Sequence, residues 1–195
     1  MKKIHFYKYQ GTGNDFVMVD DRGGSFPQSD TTLIQRLCDR KFGVGGDGLI
    51  LLKDHETHDF EMVYYNADAT TSMCGNGSRC AVHLAHHLQM IGKHCQFYAE
   101  DGPHHATIDD QGLIHVGMID VAEIKEMEGG YFLNTGTRHY VRPVKSLSDF
   151  DVVGEGKKIR YAQAFMPQGT NASFVEMSGE QVHMRIYEKG VENET

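Results

Sequence analysis

The sequence predicts a mixed α/β (α+β) fold of two units, built mainly from short strands. Runs of alternating apolar and polar residues recur along the chain, separated by glycine-rich turns, and only a few segments have helical apolar spacing. Charged residues and a Gly-Gly pair replace this alternation between residues 120 and 130, which indicates a boundary. We therefore expect one unit over residues 1–120 and a second over residues 121–195.

The first unit is predicted to contain a hairpin, two helices and further strands. The hairpin surrounds the glycine loop of residues 10–15, and a helix over Ser29–Phe42 follows, capped by Ser29 or Asp30. A glycine-rich segment, residues 43–48, then precedes an apolar strand, and Ser78–Ile91 has the clearest helical periodicity. The predicted strands are Ile4–Tyr9, Phe16–Asp20, Leu49–Leu52, Phe60–Tyr65, Cys95–Ala99, His104–Ile108 and Leu113–Met118.

The second unit is predicted to contain four strands and one short helix. The strands are Tyr131–Asn134, His139–Pro143, Asn171–Met177 and Val182–Glu188, with the helix near Ser148–Gly154. The chain stops at Thr195 in a polar stretch, so we expect this unit to be incomplete.

The composition is that of an ordinary globular protein and argues against several classes of partner. The net charge of −8 disfavours nucleic acid and anionic membrane surfaces. There is no signal-peptide pattern at the start and no apolar run of membrane-spanning length. The four cysteines lack the spacing of a disulfide framework, so we expect a cytoplasmic protein with reduced thiols.

The most informative segment, residues 66–80, places Cys74 in a glycine-rich turn just before the Ser78–Ile91 helix. The first amides of a helix have no internal partner and carry the positive end of the helix dipole. An anion is favoured there, and a cysteine there becomes more acidic than usual. Cys74 is therefore expected to be the most acidic thiol of this chain. A thiolate base beside a carboxylate-binding turn suits removal of the α-proton of an amino acid.

Five ordered segments resemble the diaminopimelate epimerase family, the pyridoxal-independent enzymes of lysine and peptidoglycan precursor synthesis. Three are strong: Gly11–Phe16, Gly43–Gly48 and Met73–Cys80, the last containing Cys-Gly-Asn-Gly. Two weaker segments, Gly169–Val175 and Tyr187–Thr195, follow in the expected order. The resemblance implies two pseudo-symmetric units, each a curved mixed sheet around a central helix.

The resemblance also implies the chemistry and the site residues. Two cysteines would remove and return the α-proton on opposite faces of the substrate, without a cofactor or a metal. Catalytic roles fall on Cys74, His139 and Glu188. The matching substrate-binding positions are Asn14, Asn66, Gly75, Asn76, Asn171, Glu188 and Lys189. The implied partner is a small amino-acid substrate, and a homodimer is possible.

The chain departs from the family pattern at several of these positions. Ala69 stands where the family has glycine, Thr137-Arg138 precedes His139 in place of Asn-Pro, and Lys189 replaces an arginine. Lysine lacks the planar two-pronged grip of arginine on a carboxylate. The chain ends about two residues before the second cysteine would come, so we expect no measurable epimerisation. Two alternatives stay open: a related racemase of another amino acid, and a non-catalytic homologue that only binds a ligand or a partner.

Two other motifs have simpler explanations. Cys80, His83 and His87 have helical spacing that zinc ligands also use, but Cys80 lies on the apolar face and no fourth ligand fits, so we expect core packing. The loop of residues 43–48 lacks the Lys-Ser/Thr ending of a phosphate-binding loop and precedes a strand. We interpret it as a tight turn beside the active site.

Overall fold

The computed structural model describes residues 3–195, which form two compact units that divide between Met118 and Ile119. The architecture is mixed α+β, as the sequence predicts. Each unit is built on one mixed sheet whose strands follow one another in chain order. Among residues 3–195, no helix combines the length and the apolar character that crossing a membrane requires.

The first unit contains a seven-stranded sheet in the order β1 to β7. Its strands are β1 Tyr7–Gly11, β2 Asn14–Asp20, β3 Gly48–Lys53, β4 Phe60–Asn66, β5 His94–Ala99, β6 Gly102–Ile108 and β7 Ile114–Val116. Neighbours are antiparallel except for β2–β3 and β4–β5, where a helix connects two parallel strands.

The first hairpin is tighter than the sequence predicts. Pairing continues to Gly11↔Asn14, so the expected six-residue loop is a two-residue turn. Thr12 and Gly13 both have positive φ, 54° and 88°, as the mirror-image hairpin turn requires. The predicted loop is wrong here because a threonine accepts a left-handed conformation that usually falls to Asn or Gly.

Two helices pack against this sheet, and both differ in extent from their predicted ranges. Helix α1 spans Thr31–Cys38, begins at the Asp30 cap and ends four residues early because Asp39 turns into extended backbone. Helix α2 spans Gly75–His87 and begins three residues before the predicted start, with Cys74 as its cap. It ends before Gln89, which has φ of 59°.

The alternation of β2 and β3 builds two cores, one on each face of the sheet. On β3, Ile50 and Leu52 pack with α2, whereas Leu49 and Leu51 pack with α1. The sheet is thus apolar on both faces, as expected for strands buried between helices. Helix α2 lies against β1 to β4 and also against β7, so the sheet curves around it.

The second unit contains a six-stranded sheet in which β8 to β13 are again neighbours in chain order. Its strands are β8 Ile124–Met127, β9 Gly130–Asn134, β10 Arg138–Pro143, β11 Asn171–Ser178, β12 Gln181–Glu188 and β13 Asn193–Glu194. The sequence prediction missed β8 and β13, which are short, polar and at the sheet edges. Helix α3 spans Val152–Arg160, starting at the Asp151 cap, so the predicted range near Ser148–Gly154 is too early and too short.

Helix α3 packs against β11, β12 and β13. Val152 of the helix shares a core with Phe174 and Tyr187. Gly156 allows this close approach, because a Cβ there would lie 2.2 Å from the Cβ of Tyr187. A short 3₁₀ turn, Gln163–Phe165, brings Phe165 against Phe132 and completes this face.

The two units repeat one motif. Both β1–β2 and β9–β10 are antiparallel, β2–β3 and β10–β11 are parallel across a helix, and β3–β4 and β11–β12 are antiparallel again. After β4, Tyr65 pairs with Thr71, and after β12, Tyr187 pairs with Glu194. Helix α3 therefore corresponds to α1, and the repeat is pseudo-symmetric.

Candidate active site

Cys74 lies between the turn that follows strand β4 and the start of helix α2. Its backbone is extended, with φ of −141° and ψ of 113°, and its Sγ accepts a hydrogen bond from the Gly77 amide at 3.3 Å. The thiol thus replaces the usual Ser or Asp side chain as the helix cap. The side chain is 6% exposed, which holds the sulfur in one place at the helix start.

The next two residues present their backbone amides at the first turn of α2. The amides of Gly75 and Asn76 belong to the set that a helix cannot satisfy internally. A Cβ built on Gly75 meets nothing within 4 Å, so the space beside this amide is open. The Asn76 side-chain oxygen is held by Thr12 Oγ1 at 3.2 Å and by Arg79. The turn therefore offers a small anion-binding surface beside a sulfur atom.

Asn14 is the predicted site residue that directly contacts Cys74. Its Oδ1 lies 3.7 Å from Cys74 Sγ, and the side chain is almost fully buried. Its Nδ2 donates to Asp47 Oδ2 at 2.7 Å. Asn14 begins β2 and Asp47 precedes β3, so two parallel strands bring these groups beside the helix start.

Asn66 organises the turn that leads to Cys74. Its Nδ2 donates to the carbonyl and the hydroxyl of Thr70, both at 3.1 Å, and to Ser72 Oγ at 3.2 Å. Ala69 in this turn has φ of 70°, the left-handed region that costs a non-glycine residue roughly 1 kcal/mol. This conformation explains why glycine suits the position and why alanine there is a costly departure.

The other three cysteines have inert surroundings. Burial raises the pKa of Cys38, Cys80 and Cys95 to about 11 in each case. Cys80 packs in the α2 core, as predicted, whereas His83 and His87 are exposed and the prediction of core packing is wrong for them. His83 Nδ1 lies 3.2 Å from the Tyr9 hydroxyl. In residues 3–195, no group of three or more His, Cys, Asp or Glu side chains is arranged to hold a metal.

In the second unit, two of the predicted residues form a compact polar cluster. His139 begins the pairing of β10 with β11 opposite Asn171. His139 Nδ1 lies 3.1 Å from Ser173 Oγ, and its Nε2 lies 3.0 Å from Thr137 Oγ1 and 3.4 Å from Asn171 Nδ2. Because an amide NH₂ can only donate, Nε2 accepts and the ring is neutral with its proton on Nδ1. Burial lowers the pKa of His139, which favours this neutral form.

Glu188 and Lys189 lie at the end of β12, next to this cluster. Asn171 Oδ1 accepts from the Lys189 backbone amide at 2.8 Å, which ties β11 to the end of β12. Glu188 pairs with Asn193 in the sheet, and its Oε2 accepts from Thr195 Oγ1 at 2.9 Å. The structure therefore gathers all four predicted residues of the second unit at one end of its sheet.

The chain matches the family model described as diaminopimelate epimerase over residues 6–123. It is 51% identical over 194 residues to the diaminopimelate epimerase of Flavobacterium psychrophilum, covering 98% of this chain and 76% of that protein. The diaminopimelate epimerase of Chlorobaculum tepidum is 37% identical, covering 95% of this chain and 75% of its own length. This chain belongs to the diaminopimelate epimerase family.

Solved structures with low identity to this member of the diaminopimelate epimerase family share its fold. A Bacillus anthracis phenazine biosynthesis protein of the PhzF family matches with a TM-score of 0.72 at 14% identity, covering 100% of this chain and 75% of its own. A hydroxyproline epimerase from Agrobacterium vitis matches with a TM-score of 0.66 at 13% identity, covering 93% and 69%. These likenesses support the pseudo-symmetric mixed fold.

Sequence reasoning missed the charged network behind Asn14. Arg40 donates to Asp15 Oδ1 at 2.6 Å and to Asp47 Oδ1 at 2.7 Å, and Lys8 donates to Asp15 Oδ2 at 2.7 Å. These hydrogen bonds and charges hold the pKa of Asp15 well below its usual range, against the opposing effect of its burial. The available signal was Asp47 itself, an acidic residue in a glycine loop that the family resemblance placed near the site.

Proposed function

We propose that this chain takes part in the cofactor-independent epimerisation of L,L-diaminopimelate to meso-diaminopimelate, with Cys74 as one of two acid–base groups. The family's enzymes are isomerases, and both relatives named above carry this activity in their names. The observation that carries the proposal is the thiol of Cys74 as the cap of α2, beside the first-turn backbone amides of Gly75 and Asn76 and the open space at Gly75.

The proposed step begins with Cys74 as a thiolate. The sulfur takes the α-proton, the C–H electron pair moves toward the substrate carboxylate, and the amides of Gly75 and Asn76 donate to the developing negative charge. Preorganised donors of this kind contribute on the order of 10²–10³ in rate. A reducing cytoplasm would keep the thiol available for this role.

An acid on the opposite face must return a proton to the α-carbon to complete the inversion. The family resemblance makes this acid a second cysteine thiol. Cys38, Cys80 and Cys95 do not suit the role, because burial raises each pKa to about 11 and all three pack in the first unit. We do not assign the second acid to a residue of this sequence.

The polar cluster of the second unit fits recognition of the rest of the substrate. We assign the substrate amine to Glu188 and the distal carboxylate to Lys189, with Asn171 and neutral His139 as uncharged hydrogen-bonding groups. The Asn171 bond to the Lys189 amide supports this, because it fixes the backbone from which both charged side chains project.

Deuterium exchange tests the role of Cys74 without requiring full inversion. The protein is incubated with L,L- or meso-diaminopimelate in D₂O, and uptake at the α-carbon is read by mass spectrometry beside chiral chromatography. We expect Cys74→Ser to lower the exchange rate by at least about 10²-fold, since the base is lost. Cys38→Ser, which changes a buried thiol on the α1 side of the sheet, is the matched control. Equal exchange by Cys74→Ser and the unchanged protein contradicts the proposal, and exchange only with another amino acid favours the related-racemase alternative.

A further inference from the structure

The Asn14 amide has only one chemically allowed orientation, and Asp47 selects it. The Oδ2 atom of Asp47 lies 2.7 Å from one of the two end atoms of the Asn14 amide. An ionised carboxylate accepts hydrogen bonds and cannot donate, so the amide end that faces it is the NH₂ group. The other end, the carbonyl oxygen, is then turned toward Cys74 Sγ at 3.7 Å.

Asp47 is itself held by two further hydrogen-bond donors besides Asn14. Its Oδ2 also accepts from the Asp15 amide at 3.2 Å, and its Oδ1 accepts from Arg40 at 2.7 Å. The Asp47 amide donates back to the Asp15 carbonyl at 2.7 Å. Three bonds to one small side chain, which is only 12% exposed, leave it little rotational freedom. The glycine loop of residues 43–48 thus delivers a carboxylate of fixed position behind Asn14.

We propose that Asp47 is a positioning residue that holds the Asn14 carbonyl oxygen toward Cys74, so that this oxygen receives the proton of the Cys74 thiol. An amide oxygen beside the sulfur is an acceptor for S–H and is repelled by a thiolate. The helix start has the opposite effect, because the Gly77 amide and the helix dipole favour the thiolate. Asp47 thereby opposes the helix start and keeps the two states of Cys74 close in free energy, as a group that must take and give a proton requires.

This inference rests on the proposed role of Cys74 as a base, but its test does not use substrate. The rate of alkylation of Cys74 by iodoacetamide is measured against pH and read by peptide mass, since the thiolate is the reactive form. In Asp47→Ala, the Asn14 amide loses its anchor and is free to turn its NH₂ group toward the sulfur. A donor to the thiolate favours that form. We expect the midpoint of the alkylation profile to fall by about one pH unit.

Asp47→Asn separates orientation from charge. The asparagine oxygen can still accept from Asn14 and from the Asp15 amide, while its NH₂ group faces Arg40. Arg40 is largely exposed and keeps two bonds to Asp15, so it can move away. We expect this variant to shift the midpoint by less than half as much as Asp47→Ala. Asp20→Ala is the matched control, because it removes a carboxylate from an Arg22 pair elsewhere on β2.

Two results would overturn the inference. One is a folded Asp47→Ala protein, checked by circular dichroism, whose Cys74 midpoint equals that of the unchanged protein. The other is an equal shift in Asp47→Asn and Asp47→Ala, which would mean that only charge acts. Failure of the proposed function is read separately, from deuterium exchange by Cys74→Ser, so the two outcomes are distinguishable.

Discussion

The two units repeat one strand motif, but they bury it differently. In the first unit, helices α1 and α2 lie on opposite faces of the sheet, and both faces are apolar and buried. In the second unit, α3 takes the place of α1, and among its described residues no helix covers the opposite face. That face carries Met177, Val182 and Met184 at 65%, 58% and 55% exposure.

One pair of residues makes the contrast direct. Strands β4 and β12 can be aligned at Tyr65 and Tyr187, because each tyrosine pairs with a residue that follows its own strand in the chain. In this alignment Met62 occupies the same position as Met184. Met62 is 2% exposed in the α2 core, whereas Met184 is 55% exposed. Side chains at equivalent positions of the motif therefore contribute differently to folding stability, because that contribution depends on burial and not on strand geometry.

The largest expected effect is a stability difference between these two methionines. Met62→Ala removes a fully packed side chain and should lower the free energy of unfolding by roughly 2–5 kcal/mol. Met184→Ala, the matched control at the equivalent position, should change it by less than about 0.5 kcal/mol. Urea unfolding followed by circular dichroism at low protein concentration measures both. A similar loss in both variants would show that the second sheet face is covered in solution, as the possible homodimer would require.

The strand pattern of this fold could be predicted from the sequence because apolar alternation is a local signal. The start of α2 could not, since Gly75 and Gly77 are poor helix formers and the periodic apolar residues begin later. The helix extends to Cys74 because the thiol caps it, and because Gly77 lets Ile50 approach within 3.0 Å of a Cβ position. Short edge strands such as β8 and β13 have no apolar face and so leave no signal.

Only part of the candidate active site could be predicted from the sequence. Cys74 in a Gly-Asn-Gly turn is a local pattern, and the resemblance supplied the asparagines. The contact of Asn14 with Cys74 joins residues that are 60 positions apart, and Asp47 accepts hydrogen bonds from both Arg40 and the β2 backbone. Contacts of this kind arise from strand pairing and leave no period in the sequence. Their roles in catalysis remain predictions.

The thiols provide a second contrast, because all four cysteines lie in the first unit. Burial raises the pKa of Cys38, Cys80 and Cys95 from 9.0 to about 11. A raised folded-state pKa gives stability that is present below pH 9 and is lost as the pH rises toward 11. We therefore expect the free energy of unfolding of the first unit to fall over that pH range.

The same raised pKa values predict the order of labelling. At pH 8 these three thiols should resist iodoacetamide, and Cys74 should react first. Labelling in urea, where all four should react alike, is the control, and earlier reaction of Cys38 or Cys95 in the folded protein would contradict the site assignment.

The smallest expected effect concerns the second unit in acid. Burial lowers the pKa of His139 below its ordinary 6.5, so the unfolded chain binds a proton that the folded unit rejects. The resulting stability is present above pH 6.5 and is lost as the pH falls through the lowered folded-state value, at no more than about 1.4 kcal/mol per pH unit. His139→Asn should flatten this dependence in urea unfolding between pH 7 and pH 5. The matched control, His183→Asn, changes an exposed histidine on β12 and should keep the original slope. An unchanged slope in His139→Asn would mean that the ring is charged in the folded unit, and Nε2 would then have to donate to Thr137 rather than accept from Asn171.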